Sequence, residues 1–388
     1  MRFDVVVIGG AVMGAATAFF LTRMQPGLRV AVIERDPSFA RAATALSVAS
    51  IRSQFSTPVN VAISRFGIDF IRDFGSWTGQ VGDLGLRENG YLFLTASAQR
   101  ADLMEDHAAM QRSLGAATEV LSPTEIAARW PWLSVEGLVA GSFGPRDEGW
   151  FDNMGLLNGL RAAARGQGAM MLTGQVTGFD RQGQRLIAAR LEDGQRIEGE
   201  VFVNCAGTRA ADLMADLGAP IPVEPRKRTV FVIDAPGARH PDAPLLIDPG
   251  GFYLRPEGQQ WITATVPEGD GPVSPEDFTP EADQFEAQIW PRLWERAPGF
   301  EAVRVKRFWT GQYDYNLLDQ NAILGRDPRL DNLFIANGFS GHGLQQSPAV
   351  GRGLAELILT GGWVSLDLQD LSVDRVLANR PLREVGVV

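Results

Sequence analysis

The chain is nearly without lysine. Of its 36 basic residues, only Lys227 and Lys306 are lysines, and the stretch between them holds none. Acidic residues number 46, so the net charge is −10 and the basic footprint of a nucleic-acid-binding protein is missing. A lone Cys205 excludes an internal disulfide, and three histidines (His107, His240, His342) argue against a zinc site; no metal is expected. Long apolar runs are also scarce. Val5 to Leu21 is apolar for 17 residues, short of the roughly 20 that a membrane span needs. Gly9, Gly10 and Gly14 interrupt it, and Arg2 alone supplies charge ahead of it, unlike a signal peptide. These absences point to a soluble, cytoplasmic chain in a reducing compartment, with no transmembrane segment. They leave the oligomeric state open.

What is present lies at the two ends. Near the N-terminus, Val5 to Ile8 reads as a strand buried on both faces, Met13 to Met24 as a helix, and Val30 to Ile33 as a second strand. Gly9-Gly10-Ala11-Val12-Met13-Gly14 opens the helix, and Glu34 follows twenty residues after Gly14. In the G-x-G-x-x-G fingerprint the first glycine makes the turn, the second admits a pyrophosphate, and the third lets helix and strand pack closely. Here Ala11 holds the second position, so one methyl stands where a phosphate would approach. Glu34 is placed to bind a ribose diol and would repel a 2′-phosphate. Near the C-terminus, Leu333 to Ala336 runs into a turn with Gly338, Gly341 and Gly343, and a helix follows from about Gln346. Glycine admits close backbone approach, and a helix N-terminus offers free N–H groups. Two such turns at opposite ends imply one long cofactor gripped from both sides, FAD.

A length of 388 residues with 45% hydrophobic content predicts two domains. Helical patterns fall at Ala62–Phe74, Ala98–Leu114, Asp152–Arg165, Arg209–Leu217 and Glu281–Trp294. Ser122-Pro123-Thr124-Glu125 forms a capping box that starts a further short helix. Thr229 to Val266 alternates strands with Pro/Gly turns, as an antiparallel sheet does. The expected fold is α/β, a Rossmann-like FAD-binding domain beside a mixed, largely antiparallel substrate domain. The FAD-binding domain is discontinuous, at 1–84, 148–219 and 326–388, and the substrate domain takes 85–147 and 220–325.

Several motifs extend this reading. Thr44–Ser56, Glu148-Gly149-Trp150-Phe151-Asp152, Tyr313-Asp314-Tyr315-Asn316 with Asp319-Gln320-Asn321, and Gly338–Gly351 keep their order over nearly the whole chain. Together they resemble the D-amino-acid oxidase superfamily of FAD-dependent oxidoreductases, which includes sarcosine oxidase, glycine oxidase and D-arginine dehydrogenase. Within it the chain is similar to a mitochondrial branch linked to complex I assembly. The resemblance implies oxidation of the C–N bond of a small carboxylated amine, an N-methyl or D-amino acid, by hydride transfer to FAD. It places Glu34 and Arg35 at the adenosine ribose, and Thr44, Ala45 and Ser47 along the pyrophosphate and flavin. Val176 would meet adenine, Ala206-Gly207 the cofactor, and Gly341-His342-Gly343-Leu344-Gln345 the flavin pyrimidine edge.

On the substrate side it implies carboxylate-binding roles for Arg52 and Arg228, a substrate-facing Tyr253, and a polar contact from His342. Trp150 and Tyr313 are candidate pocket walls. Gln345 stands where sarcosine oxidase has a lysine. The cysteine near Gly311 and the histidine near residue 45 that anchor flavin covalently in relatives are missing, so FAD is expected to be non-covalent. No lysine lies on the strand around Trp261 to Thr265, where the sarcosine oxidase branch keeps one to activate oxygen. That favours a dehydrogenase passing electrons to a quinone over an oxidase using O2. Two other readings keep the fold: a 2-hydroxy acid or glycerol-phosphate dehydrogenase, and a flavin-stabilised assembly factor with little turnover.

Overall fold

A computed structural model describes residues 2–80 and 82–384. Met1, Val81 and residues 385–388, which the sequence-based domain ranges include, lie outside the described residues.

The first sheet is built around β1 (Arg2–Ile8), with the strand Arg196–Asn204 on one side and β2 (Val30–Glu34) on the other, all parallel. Met170–Thr173 extends it beyond β2, and Leu333–Asn337 beyond Arg196–Asn204, again in parallel. The apolar run Val5–Ile8 is continuous because it is buried on both faces. The helix α1 (Val12–Met24) is buried from Val12 to Thr22. It packs against helices Asn153–Gly166 and Gly343–Thr360, and a Cβ on Gly351 would stand 2.6 Å from that of Ala16. Phe19 and Phe20, 0% and 1% exposed, each contribute about 1.5–3 kcal/mol by burial in this layer. The expected strand-plus-helix reading of Val5–Leu21 therefore holds. Among the described residues no helix is long and apolar enough to cross a membrane.

The second sheet has eight strands. Their order is Arg304–Asn316, Val223–Asp234, Gln260–Thr265, Phe252–Glu257, Leu245–Ile247, Tyr91–Thr95, Ala140–Gly144 and Glu119–Leu121. Every pairing is antiparallel except Leu245–Ile247 with Tyr91–Thr95. One face carries the aromatic core of Phe231, Phe252, Trp261, Phe285 and Phe300. The other presents Arg228, Val230, Tyr91, Phe93, Leu245, Ile247 and Tyr253 to a cavity between the sheets. The mixed α/β, two-sheet expectation matches, as does the antiparallel stretch after Thr229.

Three details differ from the sequence reading. The long strand Arg304–Asn316 carries Arg304, Lys306 and Arg307 exposed at the sheet's edge, which hid its period. The helix expected at Glu281–Trp294 is a π-turn, Phe285–Ile289, followed by Trp290–Arg296 with Pro291 in its first turn. The C-terminal helix begins at Gly343 and continues through Pro348. The capping box at Ser122 forms with both of its bonds.

Candidate active site

The cavity between the sheets has a volume of about 540 Å³, in the range of cofactor clefts. At one end lie Gly9, Ala11 and Met13. Gly9 adopts φ +95°, and a Cβ there would fall 2.3 Å from the Cys205 carbonyl. Gly10 and Gly14 do not line the cavity; they shape it. The Gly10 N–H donates to Glu34 Oε2 at 2.8 Å, and a Gly14 Cβ would stand 1.9 Å from the Gly9 oxygen. Glu34 also accepts the Asp36 N–H at 2.9 Å, which fixes its carboxylate at the end of β2. Arg35 lines the same end with an ion pair to Glu276 at 3.2 Å, and Val176 sits beside it.

Thr44 and Ser47 line the cavity, and the Val12 N–H donates to Thr44 Oγ1 at 3.3 Å. Ala45 does not line it; its carbonyl and that of Thr44 accept from Asn153, which pins the turn. Ala206 and Gly207 line the wall after the strand Arg196–Asn204.

At the other end Gly341, His342, Gly343, Leu344 and Gln345 enter the cavity with Arg52, Arg228, Tyr253 and Tyr313. The turn runs through left-handed backbone at Gly338, Ser340 and Gly341, with φ of +71°, +50° and +96°. Asp314 holds it in place, accepting N–H bonds from Gly338 at 2.8 Å and Phe339 at 3.3 Å. Burial pushes the Asp314 carboxyl up to about 6.

The cavity fits FAD on features of its own. Helix α1 and helix Gly343–Thr360 both begin here with no side-chain cap and no acid in the first turn. Apart from the Val12 N–H, which Thr44 takes, their first N–H groups and positive dipole ends are available to an anionic or electron-rich ligand. The glycines at 9, 10 and 14 leave no room for side chains against Cys205, Glu34 and the Gly9 carbonyl, which brings the N-terminus of α1 close to β2 and the strand Arg196–Asn204 at this end of the cavity.

The two arginines differ sharply. Arg52 is 7% exposed, and no carboxylate among the described residues lies within ion-pair distance of it. Its Nη1 donates to the Gln54 carbonyl, and its Nη2 lies 3.1 Å from His342 Nε2. The guanidinium sits 4.1 Å from the Phe55 ring centroid and 5.1 Å from that of Phe93. Guanidinium has no lone pair, so the imidazole must accept. Burial first, then the Arg52 charge, pushes His342 down to about 3, which keeps it neutral for that task. Gln345 Oε1 accepts the Arg52 backbone N–H at 2.8 Å, so the residue at the relatives' lysine position tethers the arginine. Arg228 also reaches the cavity, but its fork is occupied: Asp270 takes Nη1 at 2.7 Å and Nη2 at 2.9 Å. Against the cost of burial, Arg228 and Arg226 hold the Asp270 carboxyl below the usual carboxylate range. Burial drives the Tyr253 phenol well above its ordinary value, so it stays protonated. Tyr313 walls the cavity; Trp150 lies behind it under Arg255.

Two groups escaped the sequence reading. Glu148, buried, accepts from Ser53 N–H at 2.7 Å and Gln54 Nε2 at 2.8 Å, and so anchors the loop that carries Arg52. Burial pushes its carboxyl up to about 7. Its motif was visible as Glu148–Asp152; its partners, ninety-odd residues earlier, were not. Asp270 was invisible because it comes from an irregular acidic stretch with no period.

Fold and cavity together define a two-domain dinucleotide-binding flavoprotein. The family model described as FAD dependent oxidoreductase, DAO, matches residues 4–357, and the chain belongs to that family of FAD-dependent oxidoreductases. It is 37% identical over 425 residues to the FAD-dependent oxidoreductase domain-containing protein 1 of Xenopus laevis, covering 100% of this chain and 85% of that one. Among solved structures it resembles the L-proline dehydrogenase of P. horikoshii, with a TM-score of 0.87, 25% identity, and 98% and 99% of the two chains covered. The glycine oxidase of Geobacillus kaustophilus shares the fold, with a TM-score of 0.81 at 24% identity over 96% and 98% of the chains.

Proposed function

We propose that this oxidoreductase breaks the C–N bond of a small carboxylated amine, an N-methyl or D-amino acid, using non-covalently held FAD. One observation carries the reading: Arg52 is a buried guanidinium in the cofactor cavity with no carboxylate partner among the described residues. Glu148 and Glu384 act on Arg52 only beyond ion-pair distance, so its burial remains costly, and a substrate carboxylate at its planar fork offsets that cost. The likeness to a solved L-proline dehydrogenase, a protein named for a carboxylated amine, supports the same class.

Each residue then has a task. Gly9, Ala11, Met13, Glu34, Arg35, Thr44, Ser47, Val176, Ala206 and Gly207 would hold the adenosine and pyrophosphate, and Gly341 to Gln345 the flavin edge. Arg52 grips the carboxylate with its remaining N–H groups, oriented by Gln345, His342 and the Gln54 carbonyl. Tyr253, Phe93 and Ile247 wall the reacting carbon and exclude water. In so apolar a space an ammonium is disfavoured, so the substrate binds as the neutral amine with its lone pair available. FAD, when bound, supplies the acceptor for the hydride on the carbon beside that nitrogen. Arg228 is assigned to the Asp270 ion pair more than to the substrate.

The acceptor that regenerates the cofactor is a quinone or similar carrier. No lysine lines the cavity among the described residues, and Lys227 is tied to Asp277 at 3.0 Å. The division into 1–84, 148–219 and 326–388 for FAD, with 85–147 and 220–325 for substrate, belongs to this proposal.

Anaerobic mixing of the FAD-loaded protein with D-, L- and N-methyl amino acids and with 2-hydroxy acids tests it. Bleaching of the oxidised flavin band by amines bears the proposal out. Bleaching by hydroxy acids alone replaces it, and colour that persists with every compound removes it. Admitting air then separates the acceptors: rapid return of colour identifies O2 and overturns the quinone assignment.

A further inference from the structure

We infer that the amine carries an extended chain ending in an anion, and that this chain lies in a second cavity of about 340 Å³ beside the first. The inference rests on the amine reading above and specifies its substrate.

The two cavities are consecutive stretches of one sheet face. Tyr91 pairs with Leu245, and Phe93 with Ile247, in the parallel ladder, and alternation sends all four side chains to the same side. Tyr91 and Leu245 line the first cavity, Phe93 and Ile247 line both, and Thr95 with Pro249 and Gly251 line only the second. Two half-buried side chains are thus the partition on this face. Arg52 stands against it, beside Phe93 and Phe55, and Phe55 lines the second cavity. A substrate whose carboxylate rests on Arg52 has its far end directed at this partition or away from it.

The roof of the second cavity is helix Ala98–Ser113, which turns Arg100, Leu103, Met104, His107 and Gln111 toward it at helical spacing. Only Ala108 and Gln111 of that helix are buried, so it stands over a void instead of sealing a core. Phe55, Phe93, Leu94, Met104 and Ile247 supply apolar wall, and the polar lining residues Gln54, Thr95, Gln111, Ser142 and Thr265 are bonded to protein partners. The mouth is cationic. Arg100 and Arg292 are exposed there, and neither forms an ion pair among the described residues. Arg292 donates to the Gly250 carbonyl at 2.8 Å. The only carboxylate in the lining, Asp248, is taken by Arg296 at 2.6 Å and by the Gly250 N–H at 2.7 Å. An apolar trough with guanidinium groups at its far end selects a carbon chain with a terminal carboxylate or comparable anion.

The test uses the FAD-loaded protein and N-methyl amino acids of growing side-chain length, each ending in either a carboxylate or a methyl group. Half-saturation for anaerobic bleaching is measured, together with the flavin band shift produced by unreactive analogues with sulfur in place of the amine nitrogen. The longer carboxylate-ended members are expected to bind roughly tenfold tighter than their methyl-ended counterparts. Arg100→Gln combined with Arg292→Gln should erase that preference. Leu103→Trp should lower the ratio of long-chain to short-chain affinity. Short amines that bleach with no preference for length or terminal charge overturn this inference and leave the amine reading intact. A series that neither bleaches nor shifts the band removes both.

Discussion

The two ends of the cofactor cavity are made by different means. The dinucleotide end is backbone: Gly9, Gly10 and Gly14 clear space, Glu34 is fixed by two N–H groups, and the residues lie within one strand–helix–strand unit. The substrate end is side chains. Arg52, Tyr253, His342 and Gln345 come from distant parts of the chain, and burial shifts the titrating groups among them and behind them, Glu148 and Asp314 included. Backbone sites tolerate no added atoms, whereas side-chain sites tolerate changes of shape and fail on changes of charge.

That contrast gives its largest test at Gly14. A Cβ there would overlap the Gly9 carbonyl at 1.9 Å, so Gly14→Val should separate helix from strand at a cost of about 3 kcal/mol or more. The expected product is a colourless or insoluble chain. Full FAD occupancy at unchanged melting temperature would show that the cradle is not rigid.

The next effect separates the arginines. Arg52→Met should keep FAD and raise KM for the carboxylated amine roughly 100-fold, the loss of a charge-assisted contact. Its melting temperature should hold or rise, because an unpaired buried charge is removed. Arg228→Met should do the reverse, lowering stability by about 2 kcal/mol by removing two charge-assisted bonds to Asp270 and leaving it to Arg226 alone, while changing KM little. Titration of amine against both variants, with thermal melts, reads both axes. A matched rise in KM would return Arg228 to the substrate.

The same division explains what could be read from the sequence. Glycine spacing, the acid after β2 and the apolar period of β1 are local signals, so the dinucleotide end and the sheet around it were legible. Arg52, Tyr253 and His342 were legible only through motif resemblance, which named residue positions but no partners. The capture of Arg228 by Asp270 joins residues 42 apart through an aperiodic segment. The Glu148 contact with Gln54 spans 94 residues. Strand Arg304–Asn316 showed no strand period because an edge strand exposes one end of itself to water. Local pattern determines which elements form; which polar groups meet depends on how those elements cross.

Acid–base behaviour sharpens the comparison next. The folded chain holds Glu148 protonated up to about pH 7 against an ordinary 4.5, so it retains a proton that the unfolded chain releases. Its stabilising contribution is complete below pH 4.5 and declines as pH rises to 7. His342 has the opposite sign: depressed to about 3 from 6.5, it contributes fully above 6.5 and loses that contribution as pH falls. Glu148→Gln should therefore remove ~2 kcal/mol of the decline between those pH limits, leaving the acid-side loss from His342 in place. Denaturant melts across pH would show it. An unchanged pH profile in the variant would mean that Glu148 titrates normally, and would weaken its role as a neutral anchor of the Arg52 loop.

The smallest effect concerns the one departure from the glycine fingerprint. Ala11 has φ −68° and ψ −170°, extended backbone that any residue adopts, so no conformational need for glycine exists here. Its methyl lines the cavity at the N-terminus of α1, where the pyrophosphate would rest. Ala11→Gly relieves that contact and adds chain entropy to the unfolded state, two small effects of opposite sign. FAD affinity should rise by no more than about fivefold, near 1 kcal/mol, with a melting temperature unchanged or slightly lower. Flavin fluorescence titration of the apoprotein measures it. A gain well above tenfold would mean that the methyl obstructs the phosphate, and the backbone end would then be less finished than its geometry implies. A loss would mean that the methyl packs against the cofactor, and that even the glycine-built end depends on one side chain.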